Sequence, residues 1–223
     1  EKTRAIFVES LANPGGVIVD LEAIAKIAQE AEVPLIVDNT MATPWLCRPF
    51  EWGADLVVHS TTKFLSGQGN AMGGIVIDSG RFPWFGNAKY PSLSEPCPDY
   101  NGLTFAETFG DMAFTLYSHA VSLRDLGCTQ SPMNAWITLN GVETLPLRME
   151  RHVENAQKVA GFLQQHPSVE WVSYAGLSSS PYYQLAQKYL QGKAGSVFTF
   201  GIRGGYESGL RLLEKVELFS HVS

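Results

Sequence analysis

Two apolar patterns alternate along the first part of the chain. One is the short unbroken run: Ala5-Ile6-Phe7-Val8, Leu35-Ile36-Val37, Leu56-Val57-Val58 and Ile75-Val76-Ile77. Runs of this length read as strands buried on both faces, as in a parallel sheet. The other is a helical stripe. Leu21, Ile24, Ala25 and Ala28 stand at i, i+3, i+4 and i+7 behind Asp20, a fitting N-cap. Asn13-Pro14-Gly15-Gly16 reads as a loop, and Pro34 closes the helical unit. Strands alternating with helices predict an α/β fold with a mostly parallel sheet and flanking helices.

The texture changes over residues 79–108, which are rich in Gly, Pro, Ser and aromatics. A loop this long in a compact domain is usually functional or part of an interface. Its composition suits a rigid cover over a site, or packing against a neighbouring subunit. Helical pattern resumes after Thr108, and from Met149 a stripe runs through Val153, Ala156, Ala160 and Leu163. That spacing predicts a long amphipathic helix, with Pro146 allowed in its first turn. Val169-Glu170-Trp171-Val172 and Val197-Phe198-Thr199-Phe200 read as strands, and Ser180-Pro181 starts a short helix between them. The boundary is placed at His166-Pro167. Residues 1–166 then form part of a large domain, and residues 167–223 the truncated start of a smaller α+β domain.

Composition narrows the function classes. A net charge of −6 without any Lys/Arg cluster argues against nucleic acid or an anionic membrane as partner. No run of about 18 apolar residues is present, so no membrane span is expected. The cysteines Cys47, Cys97 and Cys128 lie far apart, form no CxxC and suit a reducing cytoplasm. The five histidines show no HxxxH or HxH spacing, so no metal site is expected. The chain opens without Met, close to a strand pattern, and ends soon after an apolar segment. It is expected to be part of a longer protein.

Polar clusters follow the first three strands: Glu9 to Pro14, Asp38-Asn39-Thr40, and His59-Ser60-Thr61-Thr62-Lys63. In open α/β sheets that edge is where ligands bind. Asp38, at the end of a buried strand, is either a cap or structural ion pair, or the partner of a protonated ring nitrogen. Lys63 is either a solvated amine or a nucleophile toward aldehydes; its place before Phe64-Leu65 predicts burial. Ser60 and Thr62 alternate on one face of an extended segment. Their hydroxyls suit a phosphate or ordinary turn hydrogen bonds. Asn13 either closes an Asx-turn or holds a phenolic oxygen or substrate carboxylate. His59 reads as a structural histidine. Gly67-Gln68-Gly69-Asn70-Ala71-Met72-Gly73 has the look of a phosphate loop. It precedes a strand, whereas the dinucleotide fingerprint follows one, so it reads as a flexible turn. A nucleotide-binding α/β module without amine chemistry is the rival of another class, and an inert fragment a third reading.

Val37-Asp38-Asn39-Thr40, His59-Ser60-Thr61-Thr62-Lys63-Phe64 and Glu9 to Pro14 together resemble the signature of the Cys/Met-metabolism pyridoxal-phosphate enzymes. The resemblance runs along essentially the whole chain and implies an aspartate-aminotransferase-like (type I) fold. Within the family, four further segments are similar to the O-acetylhomoserine sulfhydrylases: Tyr90 to Glu95, Phe105 to Gly110, Leu147 to His152 and Ser179 to Tyr183. The resemblance implies pyridoxal 5'-phosphate held as a Schiff base on Lys63, which then shuttles protons. It implies Asp38 at the pyridine nitrogen, Ser60 and Thr62 on the phosphate, Asn13 near the phenolic oxygen, and Thr40 against the ring. The reaction implied is γ-replacement, O-acetylhomoserine and sulfide giving homocysteine and acetate, by a cytoplasmic homotetramer. The alternative within the family is a methionine or cystathionine γ-lyase or synthase using the same residues. Family members also carry a glycine-containing phosphate loop and a stacking tyrosine near the N-terminus, and a carboxylate-binding arginine near the C-terminus. These have no counterpart here, so this chain is expected to hold part of such a site.

Overall fold

The computed structural model describes residues 2–220. Its contacts divide the chain into two units. The first comprises the residues through 10 together with 19–146; the second comprises 11–18 and the residues from 147 onward.

The first unit is built on a four-stranded sheet in the order β1 (Ile6–Glu9), β2 (Leu35–Asp38), β3 (Leu56–Ser60), β4 (Gly74–Asp78). β1, β2 and β3 are parallel, with Val8 opposite Val37 and Val37 opposite Val57. Their polar C-terminal residues therefore end on one edge. β4 runs antiparallel, with Ser60 opposite Gly74 and Leu56 opposite Asp78. The Gly-rich segment after Lys63 is the return turn, and Gly67 and Gly69 take positive φ of 78° and 65° there. Helix α1 (Leu21–Glu30) begins where Asp20 accepts the Ala23 N–H at 3.3 Å. It buries Leu21 and Ala28, while Leu35, Val37, Leu56 and Val57 are buried in the strands. A short helix α2 (Thr43–Leu46) follows β2.

Residues 79–108 are not a cover over the C-terminal edge of the strands. Antiparallel β4 carries the chain to the opposite edge, and the segment is anchored there. Arg81 donates to Phe50 O (2.8 Å), Lys89 to Ala31 O (2.6 Å) and the Tyr90 hydroxyl to Arg4 O (2.8 Å). These acceptors all precede β-strands. The segment also has structure of its own. Helix α3 (Pro91–Ser94), α4 (Phe105–Phe109) and α5 (Ala113–Tyr117) gather Phe82, Trp84, Leu93, Phe105 and Ala113 into a separate small core. Trp84 stacks on Phe114 at 5.6 Å, and Phe105 meets Tyr117 edge-on at 5.2 Å. Scattered aromatics without period thus hid a packed cluster, and helix starts at Phe105 rather than after Thr108. Helix α6 (Pro132–Glu143) closes this unit.

The second unit holds most of helix α7 (Leu145–Gln165), then β5 (Val169–Ser173), α8 (Tyr183–Tyr189), β6 (Thr199–Ile202) and α9 (Gly205–Lys215). β5 and β6 are antiparallel. Met149, Ala156 and Ala160 of α7 are buried, as are Tyr174, Ala186 and Leu190; the Tyr174 hydroxyl donates to Gly195 O at 3.0 Å. The contact boundary falls after Pro146 rather than at His166-Pro167. A helix has no break in its periodicity where its packing partner changes, so the pattern of α7 does not mark this boundary. The Leu11–Ile18 loop also goes with this unit, where the Ser173 hydroxyl donates to Gly15 O at 2.9 Å.

Candidate active site

The site residues of the first unit stand at the ends of β2 and β3. Asp38 closes β2, and its Oδ1 accepts the Thr40 N–H at 2.9 Å. The Thr40 Oγ1 accepts the Ser60 N–H at 2.8 Å. One chain of hydrogen bonds thus ties the Asp38 carboxylate, through Thr40, to the last residue of β3. Below it, buried Asn39 locks the strand ends together. Its N–H bonds Val58 O (2.9 Å), its Oδ1 accepts from the Ser10 hydroxyl (2.7 Å), and its amide donates to Cys47 O (2.8 Å). A buried amide satisfied on both ends is rigid as well as stable.

After Ser60 the chain makes one wide helical turn, Thr61–Leu65, closed by the Ser66 N–H on Thr61 O at 3.1 Å. Lys63 sits at its middle, where the backbone leaves helical values at φ −87° and ψ −125°. Lys63 is exposed, not buried as its apolar neighbours had suggested. Thr61, Leu65 and Ser66 turn inward instead, which leaves the lysine on the open side of the edge.

Ser60 and Thr62 do not present two equivalent hydroxyls. Ser60 ends the strand half-buried. The Thr62 Oγ1 accepts the Gly73 N–H at 3.1 Å and lies 3.4 Å from Gly73 O. It is held by the return strand and keeps one lone pair for another partner. Asn13 lies exposed in the second unit, in a loop closed by Ala12 N–H to Val17 O at 2.8 Å. The structure therefore brings together Asp38, Thr40, Ser60, Thr62 and Lys63, and places Asn13 in the other unit.

His59 and Thr61 were not assigned to the site, yet both bear on it. Both are buried, and His59 Nδ1 and Thr61 Oγ1 lack a hydrogen-bond partner. Burial pushes the His59 pKa below its ordinary value, while the Asp38 charge and the Asn39 backbone pull it up. The Cys47 thiol is pushed up to about 12 by burial and by the Glu51 charge, so it is no nucleophile at neutral pH. A cleft of about 530 Å³ is lined by Lys26, Trp52, Asp55, Arg81 and Phe82 among others. It opens at the far end of the strands and takes no part in this site. Among the described residues no group of three or more His, Cys, Asp or Glu could hold a metal ion.

The donor set is an amine, a carboxylate and hydroxyls on one sheet edge. That chemistry fits a phosphorylated pyridine aldehyde: the amine for the aldehyde, the carboxylate for the ring nitrogen, the hydroxyls for the phosphate. Known proteins agree. The chain is 50% identical to an O-acetyl-L-homoserine sulfhydrylase of Leptospira meyeri, over 99% of this chain and 52% of the relative. It is 44% identical to a homocysteine synthase of Schizosaccharomyces pombe, over all of this chain and 52% of that one. It thus spans about half the length of these relatives. A 2.35 Å crystal structure from Campylobacter jejuni, containing N'-pyridoxyl-lysine-5'-monophosphate, superposes with a TM-score of 0.95. It shares 40% identity, over 99% of this chain and 55% of that one. The fold is therefore that of the pyridoxal-phosphate enzymes the motifs resembled. The family model for "Cys/Met metabolism PLP-dependent enzyme" matches residues 1–223, and the chain belongs to that family.

Proposed function

We propose that this chain carries the cofactor site of an enzyme that makes homocysteine and acetate from O-acetylhomoserine and sulfide. The observation that carries the reading is the hydrogen-bonded edge Asp38–Thr40–Ser60, with Lys63 one turn beyond it. The names of the relatives support the choice of substrate. When bound, pyridoxal 5'-phosphate supplies an electron-accepting ring that stores charge while protons leave the substrate.

The protein's own residues do the rest. Lys63 would hold the cofactor through its amine. When free, that amine would act as the general base that moves the substrate's α and β protons. Asp38 keeps a proton at the ring nitrogen. Its orientation is set by the Thr40 N–H, so it does not need to reorganise as charge builds. Ser60 and Thr62 would hold the phosphate, and Thr40 would lie beside the ring. Sulfide replaces acetate at Cγ, and the protons taken from Cβ and Cα are then returned to them.

The partners fit the same reading: a small amino-acid substrate and sulfide, with neither nucleic acid nor membrane, in the cytoplasm. Among the described residues no helix is long and apolar enough to cross a membrane. A homotetramer is supported by α6, where Met133, Trp136 and Leu139 recur every third residue and are each more than half exposed. The direct test of the site is borohydride reduction of the holoenzyme followed by peptide mapping. The pyridoxyl group is expected on Lys63; label on another lysine overturns the assignment.

A further inference from the structure

We propose that Gly141 of α6 and Gly73 at the head of the return strand act as a clasp that positions Lys63. The inference rests on the reading of Lys63 as the cofactor-bearing residue. Its evidence is the close approach of two backbones to the two halves of the Thr61–Leu65 turn.

Gly141 is buried, and α6 lies directly on the end of that turn. A Cβ on Gly141 would come 2.7 Å from the Ser66 carbonyl carbon, and closer still to the carbonyl oxygens of Leu65 and Ser66. These are backbone atoms, so no side chain can rotate aside. Helix propensity alone favours alanine in a helix interior, so the glycine answers the contact.

Gly73 holds the other half. Its carbonyl accepts the Thr61 N–H at 3.0 Å, and its N–H reaches the Thr62 hydroxyl at 3.1 Å. A Cβ there would stand 2.6 Å from the Gln130 Nε2 and 2.8 Å from the Thr61 Oγ1. Gly73 has no positive φ, so closeness and not backbone freedom calls for it.

Lys63 lies between the two held halves, at the residue where the backbone leaves helical values. Its Cα direction is thus decided by the gap between β4 and α6. A shift of either backbone swings the amine that must meet the substrate's α carbon. These glycines are positioning residues: neither touches substrate or cofactor.

The test compares Gly141→Ala, Gly73→Ala and a control, Gly161→Ala, in the full-length holoenzyme. A Cβ on Gly161 of α7 meets nothing within 4 Å. For Gly141→Ala, kcat is expected to fall by up to about 100-fold, the cost of misplacement by ~1 Å. KM is expected to move far less. The pH midpoint of the bound cofactor's visible absorbance is expected to shift, and amide exchange at Ser66 and Gly67 to quicken. Gly161→Ala should match the parent in all four readouts. If Gly141→Ala does not fold, Gly73→Ala decides. It presses only on side-chain atoms, and adding Gln130→Ala should restore part of the loss.

A parent-like absorbance midpoint and kcat in the folded glycine variant overturn the clasp while leaving the functional reading intact. Borohydride label on a lysine other than Lys63 in the parent overturns both.

Discussion

The Asp38 carboxylate is oriented by the fold itself, because the Thr40 N–H donates to its Oδ1 at 2.9 Å. A hydrogen bond to a charged group contributes roughly 1.5–3 kcal/mol. Asp38→Asn removes the charge but keeps the shape. Turnover is expected to fall about 10- to 150-fold, with the circular-dichroism spectrum unchanged; near-parental turnover would show that Asp38 is only a cap. His59, one strand over, carries a pH signature. Burial lowers its pKa in the folded protein below the unfolded value. Folding therefore favours the neutral form. That stability is present above the unfolded pKa of about 6.5 and is lost as pH falls through the lower folded value. The Tm of the parent should drop more between pH 7.5 and 5.5 than that of His59→Gln. Equal drops would place the effect elsewhere, for instance at His152, whose pKa burial and the Arg148 charge also lower.

At the scale of elements, the joint between β2 and β3 is the part that makes these residues a site. Thr40→Val deletes the oxygen that accepts the Ser60 N–H and leaves that donor without its partner. The cost is about 1–3 kcal/mol, read as a lower urea midpoint at unchanged m-value; an unmoved midpoint would mean that water or another carbonyl takes over. Much of this architecture was legible in the sequence. The unbroken runs at 35–37, 56–58 and 75–77 became strands, and Asp20 caps α1 as its spacing implied. Polar clusters after strands marked the right edge because parallel strands put their C-terminal ends together. What was illegible has one physical cause: it depends on contacts far apart in sequence. The direction of β4, the exposure of Lys63 and the burial of Gly141 are decided by tertiary packing. The helices and small core within residues 79–108 were illegible for the same reason, since an aromatic cluster needs no period. Gly141 left only a weak trace: a glycine inside a helical segment costs helix propensity relative to alanine, and nothing in the sequence says what offsets that cost.

For the molecule as a whole, the anchoring of residues 79–108 at the far edge bears on how the proposed reaction would be shielded from water. In that reaction the substrate, once acetate has departed, would either take up sulfide or break down to a keto acid and ammonia; shielding from water favours capture. That segment lies away from this edge of its own sheet, so another surface would have to serve as the shield. α6 is the candidate, because it packs on the Lys63 turn through Gly141 while exposing Met133, Trp136 and Leu139. If a second copy covers those side chains, assembly and reaction outcome are coupled. Trp136 is 61% exposed, so Trp136→Glu costs the isolated subunit little but would place a charge in such an interface. Light scattering should show the variant as a smaller species than the parent. In a competition of O-acetylhomoserine with sulfide and methionine, the parent should yield mainly homocysteine, and the variant a raised share of α-ketobutyrate. A parent that makes mainly ketobutyrate with sulfide present would favour the γ-lyase over the sulfhydrylase. A dissociated variant with parental partition would show that the shield is built within one subunit.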